Sequence, residues 1–134
     1  MSAGLRLNQR LRSAARSQSR AYICGPMTGL PDLNHPAFNE AAQRLRDAGF
    51  EAVNPVDLNP PPLKNLANMT QAFQESIWRA CMKRDIAAMV LCDVLVLLPN
   101  WSQSRGAMIE VQLAESLGIP AWPFDDFIQE RKSA

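Results

Sequence analysis

The sequence predicts an α/β protein built on one parallel sheet, and three observations support this. Two short, almost continuously apolar segments, "AYICGPM" (21–27) and "DVLVLLP" (93–99), are typical of strands buried on both faces. Longer segments between and after them carry the apolar period of helices. The chain has 134 residues, 47% hydrophobic and 20% charged, which suits one globular core. We therefore predict a flavodoxin-like or Rossmann-like three-layer sandwich, with about four to five strands in the order 2-1-3-4.

The first half of the chain supplies one helix, one strand and a long loop after the first strand. Pro36 begins a helix with an apolar stripe, and Gly49 ends it. The segment "FEAVNP" (50–55) is predicted to form the second strand. Residues 54–69 hold four of the ten prolines and no apolar period, so we expect a long loop of polyproline geometry. A loop of this length in a small domain often covers a site.

The second half repeats the alternation of helix and strand. Thr70 is a helix N-cap, and the helix that follows it leads to the apolar strand at 93–99. A second helix over 104–118 closes at Gly118, and residues 119–124 form the last strand. We assign residues 21–124 to one domain, preceded by a basic arm (1–20) and followed by a C-terminal tail (125–134).

Charge separates the arm from the domain. Residues 1–20 contain five arginines and no acid, so the remaining residues carry a net charge of about −4 within a total of +1. A basic arm could bind phosphate backbones, but this one has no aromatic residue to stack on bases. We expect a disordered arm and no nucleic-acid partner.

Several classes of protein are not expected. No apolar run approaches the roughly 18 residues of a membrane span, and no signal-type segment follows the arginines, so a soluble, cytoplasmic protein without membrane contact is predicted. Cys24, Cys81 and Cys92 lack metal-site spacing and are interpreted as reduced core residues. His35, the only histidine, precedes Pro36 as a capping or solvent-exposed residue. We expect neither a metal nor a cofactor.

Ligands of such sheets bind beyond the carboxyl ends of the strands, where the strand order reverses. In the order 2-1-3-4 this crevice lies between the first and third strands, and the loops 25–30 and 100–106 meet there. Small residues in the first loop allow a ligand to approach the backbone, and the second loop leads into a helix N-terminus that favours an anion. Neither loop is specific alone, since Gly25-x-x-x-Gly29 lacks the lysine of a P-loop.

Two carboxylic acids fall on inward helix faces. Glu110 lies in an apolar stripe, whereas Glu115 lies on the opposite face of the same helix; Asp85 interrupts the stripe of the preceding helix. The two stripes are otherwise Ala107, Val111, Ala114 and Leu117, and Trp78, Cys81, Met82, Ala88 and Met89. The acids could instead complement the helix N-terminus or pair with Lys83 or Arg84. We interpret both as functional, because buried acids are costly unless used. Asp93 is interpreted as a turn or capping residue.

Three segments resemble the nucleoside 2-deoxyribosyltransferase superfamily, which includes deoxynucleoside 5′-monophosphate N-glycosidases. They are "YICGPMTG" (22–29), "RDIAAMVLCDVLVLLPN" (84–100) and "SQSRGAMIEVQLAESLGIPAW" (102–122). The most specific motif is Ser104-x-Gly106-x-x-x-Glu110. The chain looks most similar to small phage and prophage relatives of the DUF4406 type. The resemblance covers residues 21–124.

The resemblance implies a catalytic group of Glu110, Asp85 and Tyr22. Glu110 would attack the anomeric carbon of a 2-deoxyribosyl group, Tyr22 would orient its carboxylate, and Asp85 would protonate the departing base. Breaking an N-glycosidic bond builds positive charge on the sugar, which a carboxylate can stabilise or bond, and two acids in unequal environments can divide these roles. Water as the acceptor gives hydrolysis, and a second base gives transfer.

The resemblance also implies the substrate-binding residues, namely Gly25, Pro26, Met27, Thr28, Gly29, Asn100, Trp101, Ser104 and Gly106. The nucleotide hydrolases carry an arginine in the first loop where this chain has Pro26-Met27-Thr28, whereas Ser104 matches a phosphate-contacting serine and Arg105 adds a cation. The transferases often have an acid at Ser104, which favours hydrolysis here. Met27 and Trp101 could sandwich a base or simply pack as a lid.

A nucleoside or nucleotide is thus the expected partner, and the resemblance implies a homodimer or higher homo-oligomer. Three other functions remain open at this point. The chain could be a non-catalytic nucleotide-binding or sensing phage protein, or it could act on nucleic acid through its arm. The same carboxylate chemistry could also cleave NAD or an ADP-ribose derivative.

Overall fold

A computed structural model describes residues 20–133 and contains a four-stranded parallel sheet in the predicted order, β2-β1-β3-β4. The strands are β1 (Arg20–Cys24), β2 (Glu51–Val53), β3 (Val94–Leu97) and β4 (Ala121–Pro123). Tyr22 on β1 lies opposite Leu95 on β3, and Cys24 lies opposite Leu97. The two central strands are almost completely buried and the two edge strands are not, which confirms the doubly covered α/β sheet.

Helices cover both faces of this sheet. They are α1 (His35–Asp47), α2 (Pro55–Leu58), α3 (Gln71–Met89), α4 (Arg105–Ser116) and α5 (Phe124–Ser133). Helices α1 and α5 pack on one face, where Phe38, Leu45, Phe124 and Phe127 join the odd-numbered side chains of β1. Helices α3 and α4 pack on the other, where Met89, Ala107 and Ala114 meet Tyr22 and Cys24. The alternation of side chains along β1 therefore directs Tyr22 and Cys24 towards α3 and α4.

The predicted helix starts are confirmed by their caps. The Thr70 side chain accepts a hydrogen bond from the Phe73 amide at 3.1 Å, and the Ser104 hydroxyl accepts one from the Ala107 amide at 3.2 Å. Within α4, Glu110 lies on the inward face as predicted and Glu115 is exposed. Leu117 was expected on the same inward face, but it is 54% exposed because α4 ends at Ser116.

The segment 54–69 differs from the predicted loop. Pro55–Leu58 forms one helical turn, since the Asn54 side chain caps it by accepting from the Val56 amide and Pro55 occupies its first position. A 3-10 turn follows at Leu66–Asn68. The continuous loop predicted from the prolines is therefore wrong over these two stretches, while residues 59–65 between them have neither helix nor strand.

The ends of the chain add two findings. Residues assigned to a C-terminal tail form α5, whose Phe127 and Ile128 are buried in the core. The basic arm lies outside the described residues apart from Arg20, which begins β1.

Asp93 lies at the opposite end of the strands from the predicted crevice and accepts a hydrogen bond from the Arg20 amide, as a turn residue would. Within residues 20–133, every helix is too short or too polar to cross a membrane.

Candidate active site

The site lies where β1 and β3 end, beside the N-terminus of α4. Cys24 and Leu98 continue the pairing of the two strands into the loops, since the Leu98 amide donates to the Cys24 carbonyl at 2.8 Å. Gly25 packs directly against this point, and a Cβ at Gly25 would lie 2.8 Å from the Leu98 Cβ. The loop stays close to the strand ends because the Asn34 side chain donates to the Pro26 carbonyl at 2.9 Å. A glycine at position 25 is thus required by the close approach of two backbones.

Glu110 is the buried acid of this site, with 5% of its surface exposed. The Tyr22 hydroxyl donates a hydrogen bond to Oε2 of Glu110, and the Cys24 thiol lies 3.5 Å from Oε1. Tyr22 and Cys24 are two residues apart on a strand and therefore share the face that α4 covers. Small residues at Ala107 and Ala114 allow α4 to lie close to this face. Each oxygen of the Glu110 carboxylate is consequently held by a different donor from β1.

Burial dominates the acid–base properties of this group. It raises the pKa of Glu110 to about 7; the charge of Asp85 raises it further, and the hydrogen bonds from Tyr22 and Cys24 oppose the shift. Burial, followed by the charge of Glu110, also raises the pKa of both the Tyr22 phenol and the Cys24 thiol above their ordinary values. Both groups therefore keep their protons near neutral pH and act as hydrogen-bond donors to the carboxylate.

Asp85 is the second acid, and α3 presents it half-buried beside the first. Its Oδ1 accepts a hydrogen bond from the Asn59 side chain at 2.9 Å, and the Arg84 guanidinium donates to the other end of the same amide at 2.9 Å. Burial raises the pKa of Asp85 to about 6, whereas Asn59 and Arg84 lower it. The charge of Asp85 is close enough to Glu110 to raise the pKa of that group, so the two carboxyls form one electrostatic unit.

The second predicted loop forms the wall on the α4 side. Asn100 adopts a left-handed backbone with φ of 65°, and the half-buried Trp101 packs against the cluster that contains Tyr22 and Cys24. Ser104 caps α4, as described above. Gly106 faces α3, where a Cβ would lie 2.9 Å from the Met82 sulfur. This contact lets the N-terminus of α4 lie against the helix that carries Asp85.

Arg105, beside Ser104, is held by α3. Its Nη1 lies 2.8 Å from Oε1 of Glu75, and its guanidinium stacks 3.8 Å from the centroid of the Trp78 ring. The positive charge that the sequence places at the start of α4 is therefore already matched by a carboxylate.

The first loop is less enclosed. Gly25, Pro26 and Met27 are half-buried, while Thr28 and Gly29 are exposed. Met27 packs against the core cluster on the α1 and α5 face, whereas Trp101 packs on the opposite face. Both contacts agree with the packing alternative for these two side chains, and a role in holding a base stays a prediction.

Two residues of the site were not assigned to it from the sequence. Cys24 was interpreted as a core residue, although its position two residues after Tyr22 places it on the same strand face. Asn59 reaches Asp85 through the path of the proline-rich segment, for which the sequence carries no periodic signal. Arg84 was considered as a partner of Asp85, and its guanidinium donates to the Asn59 oxygen. Within residues 20–133, no group of three or more His, Cys, Asp or Glu side chains could hold a metal ion. The described groups are instead two carboxyls and their hydrogen-bond donors, a set suited to proton transfer and nucleophilic attack.

Comparisons with known proteins agree with this fold. No curated protein matched the chain. A solved structure of 2-deoxyribosyltransferase from Bacillus psychrosaccharolyticus, described as a biocatalyst for nucleoside synthesis, is similar with a TM-score of 0.52 and 20% sequence identity. The similarity covers 77% of this chain and 69% of that chain, and it confirms the predicted resemblance at the level of the fold. The family model described as "Domain of unknown function (DUF4406)" matches residues 19–122, and the chain therefore belongs to the DUF4406 family.

Proposed function

We propose that this protein cleaves the N-glycosidic bond of a 2′-deoxynucleoside or its 5′-monophosphate, with Glu110 as the nucleophile and water as the final acceptor. The observation that carries the proposal is the buried Glu110 carboxylate, which Tyr22 and Cys24 hold at both oxygens beside a second carboxyl. A carboxylate placed in this way is costly for folding, and glycosidic chemistry gives it a use. The similarity of the fold to a 2-deoxyribosyltransferase supports the same assignment.

The proposed reaction has two steps. In the first, a Glu110 oxygen bonds to C1′ as the C1′–N bond breaks; the bonding pair passes to the base nitrogen, and Asp85 transfers its proton to the base. In the second, Asp85 accepts a proton from water as the water oxygen attacks C1′ and releases Glu110. Positive charge on the sugar develops over the Glu110 carboxylate, which stabilises it. Tyr22 and Cys24 keep that carboxylate fixed throughout.

The reaction needs one proton on the pair of carboxyls, and it must sit on Asp85. With the pKa of Glu110 raised to about 7 and that of Asp85 to about 6, the free protein favours the proton on Glu110. A bound nucleoside shifts this balance, because the base nitrogen accepts a hydrogen bond from protonated Asp85 and positive charge on the sugar favours ionised Glu110.

The surroundings of α4 bear on the phosphate. Ser104 uses its oxygen to cap the helix but retains its own O–H to donate, while Arg105 is engaged by Glu75 and Trp78. An arginine that is already paired with a carboxylate binds a phosphate less strongly than an unpaired arginine does. We therefore propose that an unphosphorylated deoxynucleoside is preferred over its monophosphate.

Release of free base, followed by chromatography, tests this proposal. The panel consists of the four natural deoxynucleosides, their 5′-monophosphates, the corresponding ribonucleotides and NAD, each with and without a second free base. Wild type is compared with Glu110→Ala and with Glu115→Ala, a matched change on the exposed face of α4. We expect base release from a deoxynucleoside by wild type and by Glu115→Ala only.

Each other outcome has a definite meaning. A new nucleoside formed from the second base would show transfer in place of hydrolysis. Base release from NAD or from ribonucleotides alone would contradict the deoxynucleoside assignment. No release across the panel, with nucleotide binding intact, would contradict catalysis and favour a binding protein.

A further inference from the structure

Asn59 is fixed by three hydrogen bonds that leave its side chain one orientation. Its Nδ2 donates to the Pro55 carbonyl and to Oδ1 of Asp85, each at 2.9 Å, and its Oδ1 accepts from Nε of Arg84 at 2.9 Å. Arginine can only donate, so the amide oxygen must face Arg84 and the amide nitrogen must face Asp85. The neighbours of this amide therefore orient it and use both of its N–H donors.

The hydrogen bonds at Asp85 are unequal in consequence. Oδ1 accepts from Asn59, whereas no residue in the described part of the chain donates to Oδ2. An oxygen that already accepts an N–H bond is the poorer place for a proton, so a protonated Asp85 carries its proton on Oδ2. That proton is the one available for donation to a ligand.

We propose that Asn59 is a positioning residue for the acid of the site, holding Asp85 so that Oδ2 presents its proton to the departing base. The inference rests on the proposed glycosidic chemistry and adds a residue from the proline-rich segment to it. That segment is thus part of the catalytic apparatus, in addition to any role in covering the crevice.

Burial is what raises the pKa of Asp85, and the interposed amide lies between this carboxyl and the Arg84 guanidinium. A direct ion pair between Arg84 and Asp85 would strongly favour the ionised carboxylate. The Arg84 guanidinium donates to the Asn59 oxygen, and Asn59 in turn donates to Asp85 through a neutral N–H group. Asp85 is therefore oriented by this network without being locked as a carboxylate.

Substrates with different leaving groups separate this role from a structural one. The first substrate is the best of the four natural deoxynucleosides, whose base must be protonated as it leaves. The second is 1-(2-deoxyribosyl)nicotinamide, whose cationic ring leaves as a neutral molecule and needs no acid. Both are measured with wild type, Asn59→Ala, Arg84→Met, Asp85→Asn and Glu110→Gln. Asn68→Ala is the control, since Asn68 is an exposed asparagine of the same segment.

We expect Asn59→Ala to lower the ratio of the two kcat/KM values, deoxynucleoside over nicotinamide deoxyriboside, by about 10- to 100-fold, within the range of general-acid catalysis. The value of kcat/KM ends at departure of the base and so excludes the second step, which both substrates share. Asp85→Asn lowers the ratio at least as far, Arg84→Met lowers it less, and Asn68→Ala leaves it unchanged. Glu110→Gln reduces both rates together.

The variants distinguish failure of this inference from failure of the proposed function. If Asn59→Ala leaves the ratio unchanged while Asp85→Asn lowers it, the positioning role of Asn59 is wrong and the proposed acid stands. If Asp85→Asn also leaves the ratio unchanged, Asp85 is not the acid and the inference falls with it. Full activity of Glu110→Gln on both substrates would overturn the proposed function itself.

Discussion

The two carboxyls of the site are held by different parts of the molecule. Glu110 is 5% exposed, and its donors, Tyr22 and Cys24, come from β1, one of the two buried central strands of the sheet. Asp85 is half-buried, and its donor Asn59 comes from the proline-rich segment outside the sheet. Among residues 20–133, Glu110 thus has a donor on each carboxylate oxygen, whereas Asp85 has a donor on Oδ1 only.

This difference matches the roles that the two acids would need. A nucleophile benefits from a fixed position and from donors that favour its charged form, whereas an acid benefits from an oxygen left free to carry a proton. The core supplies the first environment, and the edge of the site supplies the second. Changes that exchange, remove or weaken these environments should therefore affect the two acids differently.

The largest effect is expected when the Glu110 charge is removed. Glu110→Gln keeps the shape of the side chain but removes the nucleophile, so base release should fall by at least about 10³-fold. The rate is measured by chromatography of the free base, with Glu115→Gln on the exposed face of α4 as the control. A loss of similar size in the control would assign the effect to the helix instead of the carboxylate.

Removal of one donor from Glu110 should cost less. Tyr22→Phe leaves Oε2 without its hydroxyl donor, and we expect kcat to fall by about 10- to 100-fold. Cys24→Ala removes only a weak thiol donor from Oε1, and a decrease of about threefold is expected. Steady-state kinetics of both variants and of Cys24→Ser, which restores a hydroxyl donor, test this order. Equal losses in Tyr22→Phe and Cys24→Ala would contradict it.

The pH dependence reports both acids together. Because the reactive form holds one proton on the pair, kcat/KM should be bell-shaped, with limbs near pH 6 and pH 7, from the pKa values of about 6 for Asp85 and about 7 for Glu110. Below the lower limb both carboxyls are protonated and Glu110 cannot attack; above the upper limb neither has a proton for the base. Each limb falls about tenfold per pH unit.

Asp85→Asn sharpens this test. Without Asp85, the alkaline limb should disappear from a much slower reaction. The limb that remains should report the ionisation of Glu110 and lie below about pH 7, because the Asp85 charge no longer raises the pKa of Glu110. An alkaline limb that persists in Asp85→Asn would show that another group supplies the proton.

Stability should depend on pH through the same group. Since the pKa of folded Glu110 is about 7 against an ordinary value of 4.5, the folded state binds this proton more tightly than the unfolded state. The contribution is fully present below about pH 4.5 and is lost as pH rises to about 7. The free energy of unfolding of Glu110→Gln, relative to that of wild type, should therefore be higher at pH 8 than at pH 4.5 by about 1–3 kcal/mol. Urea unfolding of both proteins at pH 4.5 and pH 8 measures this difference in free energy of unfolding. An equal difference at the two pH values would contradict burial as the cause of the raised pKa of Glu110.

Sequence and structure agree where periodicity decides the outcome. The inward face of Glu110 follows from the apolar pattern of α4, and the start of α3 follows from the Thr70 cap. The strand order follows from the predicted fold class. Tyr22 was identified through the resemblance, and the structure places its hydroxyl on Glu110.

The remaining features depend on contacts between distant segments. Asn59 reaches Asp85 only because Pro55–Leu58 forms a helical turn, which the prolines alone did not predict. Arg105 is matched by Glu75 across two helices, and no local pattern predicts that pair. Helix α5 was missed because its short apolar face begins within the last predicted strand.

The most direct test of the account is to look for the covalent intermediate on Glu110. Wild-type protein is mixed with the deoxynucleoside it cleaves, quenched in acid within the first turnovers and analysed by mass spectrometry of the intact chain and its peptides. If Glu110 is the nucleophile, the mass of one 2-deoxyribosyl group is found on Glu110 in wild type and is absent from Glu110→Gln. Rapid base release with the sugar attached to another residue would contradict Glu110 as the nucleophile.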